Sequence, residues 1–379
     1  MKKFKALLIK AVVIILILVI FIVLIALKNN KEIAEAMTRG PARWYGFIAS
    51  KISGLVPFIS FTELLFVALF CIAVLLLVLF IIDLVKLRII RGFNKLFDIA
   101  IIALSVVTLY HFSCEAAYNR KEMPLPYYEN DVEREEYVDI YNYFANDLNL
   151  CISELEFKED GDVKSPMALQ DIAKEVKKAY SILTDSYFAS HTGAVKPMLS
   201  SFIYREFQIT GVTFSPFAES NINTLNASGD IPFTVAHELA HTKGVMREDD
   251  ANILAFYICL NSENAYLRFS AYNRYFPLIG KMNSKLYMSS EERATLVSIN
   301  AAYYKYLSFE SKYWDEHDLL GNFADWINNL YIKSSGVQEG TSSYQGGTTD
   351  VTDPELRKIT KFSEVQKLFL EKYYRSKSI

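Results

Sequence analysis

The chain has 379 residues, 51% of them hydrophobic and 22% charged, with a formal net charge of −3. With 15 Gly, 10 Pro and 4 Cys it is neither collagen-like nor disulfide-dense, and its apolar content excludes disorder. A near-neutral balance without a basic block argues against nucleic acid as a partner.

The apolar residues concentrate in the first 113 positions. Residues 11–27 read AVVIILILVIFIVLIAL behind Lys2, Lys3, Lys5 and Lys10. An uncharged run of that length crosses a bilayer core once its flanks are counted, and it exceeds the apolar stretch of a cleaved signal peptide. LLFVALFCIAVLLLVLFII occupies 64–82, and LFDIAIIALSVVTLYHFS occupies 96–113 with Asp98 and His111 near its ends. The reading is a membrane anchor over 1–113, with transmembrane helices at about 7–27, 61–85 and 96–113, followed by a folded domain over 114–379.

Lys and Arg set the orientation. Loop 86–95 holds Lys86, Arg88, Arg91 and Lys95 with no acid, and the first ten residues hold four lysines. In loop 28–60 the basic residues are diluted by Glu32 and Glu35. These densities put the N-terminus and 86–95 in the cytoplasm and 114–379 outside. Trp44-Tyr45-Gly46-Phe47 and Val56-Pro57-Phe58 have the character of an interfacial segment. Cys114, Cys151 and Cys259 follow the third span; their odd number excludes a complete disulfide framework, and buried free thiols are expected.

Residues 114–138 are polar, with an acidic run from Glu129 to Glu136, and read as a stalk. From 137 to about 187 apolar residues recur at helical spacing, as in Ile140, Tyr143, Phe144, Leu148 and Ile172, Val176, Tyr180, Leu183. Residues 208–225, QITGVTFSPFAESNINTL, predict one or two short strands. Helices resume at 232 and continue with breaks to about 333. Residues 334–350 read as a loop, and Asp353-Pro354 as the start of a last helix. The fold class is mainly α (α+β): three N-terminal transmembrane helices, then a helix-rich domain with a small sheet or edge strand.

Residues 232–241, PFTVAHELAH, hold the pattern H-E-x-x-H as His237, Glu238 and His241. On a helix, positions four apart share a face, so both imidazoles reach one metal ion, while Glu238 projects beside it. A random occurrence is expected roughly 0.004 times in a chain of this composition. Gly244 permits the left-handed turn that ends the helix, and Arg247-Glu248-Asp249-Asp250-Ala251-Asn252 opens another. A structural zinc wants four protein ligands, and no second Cys or His pair is nearby; two histidines, a carboxylate and water fit an open, catalytic shell. Glu248, Asp249 and Asp250 are the candidates for the carboxylate. Glu248 is favoured because Asn252 follows one turn later, where its amide can orient a ligand; Asp249 is next. Tyr344 is a candidate oxyanion donor, whereas His191 and His317 have no local partners that suggest ligation.

His237-Glu238-Leu239-Ala240-His241 followed by Glu248-x-x-Ala251-Asn252 resembles the zincin metallopeptidases of the glutamate-ligand type. The three-span start, Val56-Pro57-Phe58, and Pro216-Phe217-Ala218-Glu219-Ser220-Asn221-Ile222-Asn223 before Pro232-Phe233-Thr234 resemble, more closely, an uncharacterised bacterial family of membrane-anchored, zincin-like proteins of unknown function. Glu248 follows His241 by only seven positions, and Arg247 stands where a metzincin places its third histidine. The resemblance implies a multi-pass protein of the bacterial cell membrane whose extracytoplasmic domain is a Zn2+-dependent hydrolase, or metalloprotease. Glu238 would be its general base, and an edge strand within 211–223 would align a peptide or protein substrate. The other reading is a non-catalytic membrane sensor or assembly factor that retains a zinc site.

The topology has a direct test in cysteine labelling of intact cells. An impermeant reagent should modify a cysteine introduced near 340 and spare one at 90; the reverse pattern inverts the orientation.

Overall fold

The protein, seen in a computed structural model, is described over residues 2–133, 136–190, 193–282, 289–317, 358–359 and 362–378. It divides into two compact units. One comprises residues 1–121, 192–194 and 213–219, and the other 122–191, 195–212 and 220–379.

In the first unit, α1 (Lys2–Lys28), α4 (Phe61–Val85) and α5 (Ile89–Ser113) form the apolar bundle, with α2 (Lys31–Met37) and α3 (Arg43–Ser53) between α1 and α4 in the chain. Windows in the three long helices reach mean hydropathies of 3.6, 3.5 and 1.8, enough to cross a bilayer. The protein is a membrane protein. The third helix begins at Ile89 rather than at 96, so Lys86–Arg88 alone connect it to the second, and Arg91 and Lys95 are helical. Lys95 is neutralised there by Asp83, and Lys10 Nζ lies 2.7 Å from Asp98. On α3, Trp44, Phe47, Ile48 and Ile52 are exposed while Ala49, Ser50 and Ser53 are buried, an amphipathic division.

The expected stalk is corrected in its first part. Cys114 to Tyr118 are buried, Glu115 pairs with Lys28 at 2.6 Å, and Arg120 makes two 3.0 Å bonds to Glu35. These pairings hold 114–121 against the bundle. Segment 213–219 is bound there as well. The Tyr45 hydroxyl donates to the Pro216 carbonyl at 2.7 Å, and the Phe214 ring packs 5.1 Å from that of Phe66. Glu219 is fully buried and accepts from Thr62 N (3.0 Å), Thr62 Oγ1 (2.8 Å) and Phe61 N (3.4 Å). Its carboxylate thus occupies the N-terminus of α4, where orphan donors and the helix dipole favour an anion; the Ser60 hydroxyl caps Glu63 N at 3.1 Å.

The second unit contains β1 (Val132–Glu133), α6 (Tyr137–Ser153), α7 (Leu169–Ala179), α8 (Ser186–Ala189), β2 (Ala194–Pro197), α9 (Ser201–Glu206), β3 (Gly211–Phe214), β4 (Glu219–Ile222), α10 (Ile231–His241), α11 (Glu248–Leu260), α12 (Ala265–Met282), α13 (Ser290–Ala294), α14 (Ala301–Glu316), β5 (Lys358–Ile359) and α15 (Glu364–Lys377), with β2, β3 and β4 shared at their ends with the first unit. The fold is dominated by helices. Sheet order is β2-β4-β3, so β3 is an edge strand among the described residues; β1 pairs antiparallel with β5, Val132 opposite Ile359.

Helix α11 is buried on every side from Ala251 to Leu260, as an apolar helix at the centre of a core must be. It packs on α7, α10, α12 and α15. Phe369 joins the core from α15, with ring centroids 4.8 Å from both Phe144 and Phe256. Cys114, Cys151 and Cys259 are buried free thiols.

One expectation changes. Residues 137–187 are not one helical stretch: 154–168 are irregular, with a Phe157–Val163 bridge around a turn in which the Asp160 carboxylate accepts from Asp162 N at 3.0 Å. Strand β2 carries no alternating pattern in Ala-Val-Lys-Pro and is revealed by its pairing alone. The Asp353-Pro354 start and the 334–350 loop lie outside the described residues. The last described helix, α15, opens on a Ser363/Gln366 capping box.

Replacing Glu219 by Ala should remove the acceptor for three donors at α4 and cost about 1–3 kcal/mol, against about 1 kcal/mol for Ser60→Ala. Thermal unfolding of both variants in lipid nanodiscs measures the difference.

Candidate metal centre

The site is assembled from two helix ends and the turn between them. Pro232 occupies the first turn of α10, where its missing N–H costs nothing. The buried Tyr180 hydroxyl donates to the Ala236 carbonyl at 2.6 Å and pins the middle of the helix. One turn apart on α10, His237 and His241 bring their Nε2 atoms to 3.0 Å. The chain then closes in a Schellman arrangement, with Gly244 N bonded to His241 O (2.9 Å) and Val245 N to Ala240 O (3.2 Å). Gly244 has φ +71°, a conformation that favours glycine. The turn also carries the Val245 carbonyl to 2.7 Å from His241 Nδ1. A carbonyl only accepts, so Nδ1 bears a hydrogen and Nε2 is the nitrogen turned toward His237 and Glu248.

Glu248 is the first residue of α11. Its Oε2 lies 3.1 Å from His237 Nε2 and 3.7 Å from His241 Nε2. Ligand bonds of 2.0–2.1 Å in a tetrahedron separate neighbouring donors by about 3.3 Å. Edges of 3.0, 3.1 and 3.7 Å therefore fit one face of a tetrahedral shell. Electrostatics agree. Burial pulls the His241 imidazole down, but the charge and hydrogen bond of Glu248, with the Glu238 charge, outweigh it and raise the group to about 9. Burial likewise opposes ionisation of Glu248, yet the charges and hydrogen bonds of the two imidazoles hold it well below the usual carboxylate range. The triad is built to hold a positive charge, as a proton or as a divalent ion in its place.

The neighbouring acids are committed elsewhere. Asp249 pairs with Arg247 at 3.1 Å and accepts from Asp250 N at 3.0 Å. Asp250 is 3.6 Å from Arg247, and burial together with the Asp249 charge pushes its carboxyl up to about 6. Asn252 is buried, but its amide nitrogen has no hydrogen-bond partner, so the support expected for Glu248 is not made here. Outer nitrogen Nδ1 of His237 is likewise unpartnered. Tyr344 and His191 lie outside the described residues, and His317 pairs with Glu206 at 3.2 Å.

Glu238 is buried and stands beside the triad rather than in it. Its side chain lies over Gly211, the first residue of edge strand β3: a Cβ on Gly211 would fall 2.6 Å from Glu238 Cγ and Oε1. This close approach was not legible in the sequence, nor were the contributions of Tyr180 and the Val245 carbonyl. The only local signal was a glycine at the start of a strand.

A family model described as "Protein of unknown function (DUF3810)" matches residues 38–349. The chain belongs to this family. The match takes in the second and third spans, the three-stranded sheet and both helices of the candidate centre. No curated protein matches the chain, and no solved structure does. The family description names no activity, so a functional reading of this DUF3810 member rests on its geometry.

Gly211→Ala should displace the Glu238 side chain and cost about 1–3 kcal/mol by overpacking, leaving His237, His241 and Glu248 in place. Unfolding curves give the cost, and a crystal structure of the variant gives the displacement.

Proposed function

We propose that this protein is a membrane-anchored, zinc-dependent peptidase whose catalytic unit lies outside a bacterial cell membrane. The observation that carries the reading is the convergence of His237 Nε2, His241 Nε2 and a Glu248 carboxylate oxygen at tetrahedral spacing, with Glu238 alongside. His237, His241 and Glu248 would hold the ion, which supplies a Lewis acid when bound. Glu238 takes a proton from the attacking water and passes it to the leaving amine. The Val245 carbonyl keeps His241 in the ligating tautomer. Support for a peptide substrate comes from β3: an extended chain adds to an exposed sheet edge through main-chain hydrogen bonds, and this edge begins where Glu238 rests. Support for the extracytoplasmic side comes from the lysines in the first turns of α1 and the basic residues around 86–95.

The test uses the full chain in nanodiscs. Wild type should contain one zinc; His241→Ala and Glu248→Ala should lose it to a chelator, and Asp249→Ala should keep it. Glu238→Gln should retain zinc while peptide hydrolysis falls by about two to four orders of magnitude. Full zinc with no hydrolysis in either wild type or Glu238→Gln, including cleavage profiles of host surface proteins, would instead favour a sensor or assembly factor.

A further inference from the structure

At the foot of the metal-bearing helix lies a second pair of ionisable groups that the proposed chemistry does not use. Asp230 is the residue before α10, yet its side chain caps nothing on that helix. It turns instead to Asn273 on α12 and Glu310 on α14. The Asn273 amide nitrogen donates to Asp230 at 2.6 Å and to Glu310 at 3.1 Å, one hydrogen to each carboxyl. Two carboxyls that accept from one amide nitrogen are held side by side. Two partly buried carboxylates brought together on one donor repel when both are ionised, which favours a proton on one of them. Arg274 on α12 faces Asp230 as a partial counter-charge. The other titratable groups around the pair are Asp162, Tyr266 on α12, and Tyr303 and Tyr306 on α14.

We propose that Asp230 and Glu310 share one proton, and that this protonated pair, held by Asn273, is a pH-sensitive latch fixing the start of α10 to α12 and α14. When the proton leaves, the two charges repel. The orphan N–H groups at the N-terminus of α10 then offer Asp230 a competing site, where an ionised aspartate is a good cap. The latch therefore has two arrangements of one side chain, selected by pH. Burial and the neighbouring Glu310 charge raise the Asp230 carboxyl well above its usual range. A group raised on folding contributes stability that is full below its unfolded value, about 3.9, and is lost as pH rises through the folded value. Its contribution thus declines from acid toward alkaline pH. The inference does not depend on bound metal.

The experiment compares wild type, Asp230→Asn and Glu310→Gln as full chains in nanodiscs. The unfolding midpoint of wild type should fall by several degrees from pH 5 to pH 9, with a flatter profile in either variant. At pH 7, infrared difference spectra of wild type minus each variant should contain a protonated-carboxyl band. Should Asp230→Asn fail to fold, Glu310→Gln carries both measurements. Absence of the band, pH profiles identical to wild type, or a wild-type spectrum that responds to added calcium instead of pH would each overturn the shared proton.

Discussion

The candidate centre depends on one electrostatic fact: the Glu248 carboxylate is held, partly buried, against two imidazoles. An unpaired carboxylate there would carry a desolvation cost of several kcal/mol, so the position requires a positive partner. The turn after α10 meets this requirement. By closing with Gly244 in the left-handed region, it delivers the first residue of α11 back to the face carrying His237 and His241. The same turn supplies the carbonyl that fixes the His241 tautomer. Six residues between the second histidine and the glutamate suffice because a Schellman closure reverses the chain in so few steps.

Much of this was readable from the chain because the relevant signals are local. Two histidines one turn apart, a helix-ending glycine and a new helix opening on acids specify their own geometry. The position of Asn252 favours Glu248 over Asp249 in the sequence, and in the structure it is Glu248 that lies beside the two imidazoles. Arg247 engages Asp249, whereas the Asn252 amide nitrogen bonds to nothing. The contacts that escaped sequence reading join residues distant in the chain: Tyr180 to Ala236, Gly211 to Glu238, and Asp230 to Glu310 through Asn273. No periodicity encodes a partner some 30 to 80 positions away. The third helix begins seven residues ahead of its apolar run, at residues that read as a loop until Lys95 is seen to pair with Asp83.

The environment of α10 illustrates how a short helix is kept in register. Eleven residues are marginal for an isolated helix, so its geometry comes from tertiary contacts. One hydroxyl holds the middle, a carboxyl pair stands at the start, and a glycine turn closes the end. A shift of one turn would move a ligand by about 5.4 Å, well beyond any coordination sphere.

The manner in which Glu219 is held has a consequence for handling the protein. Its carboxylate is satisfied by Thr62 and Phe61, at the head of a membrane helix far upstream in the chain. A soluble piece released by proteolysis or expressed from beyond the third helix would keep Glu219 and lose both residues. A fully buried carboxyl would then be stripped of all three of these donors, in a segment of strand and turn that leads directly from Gly211. For this chain, cutting at the membrane boundary is not a neutral excision of a tether, because it takes from Glu219 the helix end that its carboxylate occupies.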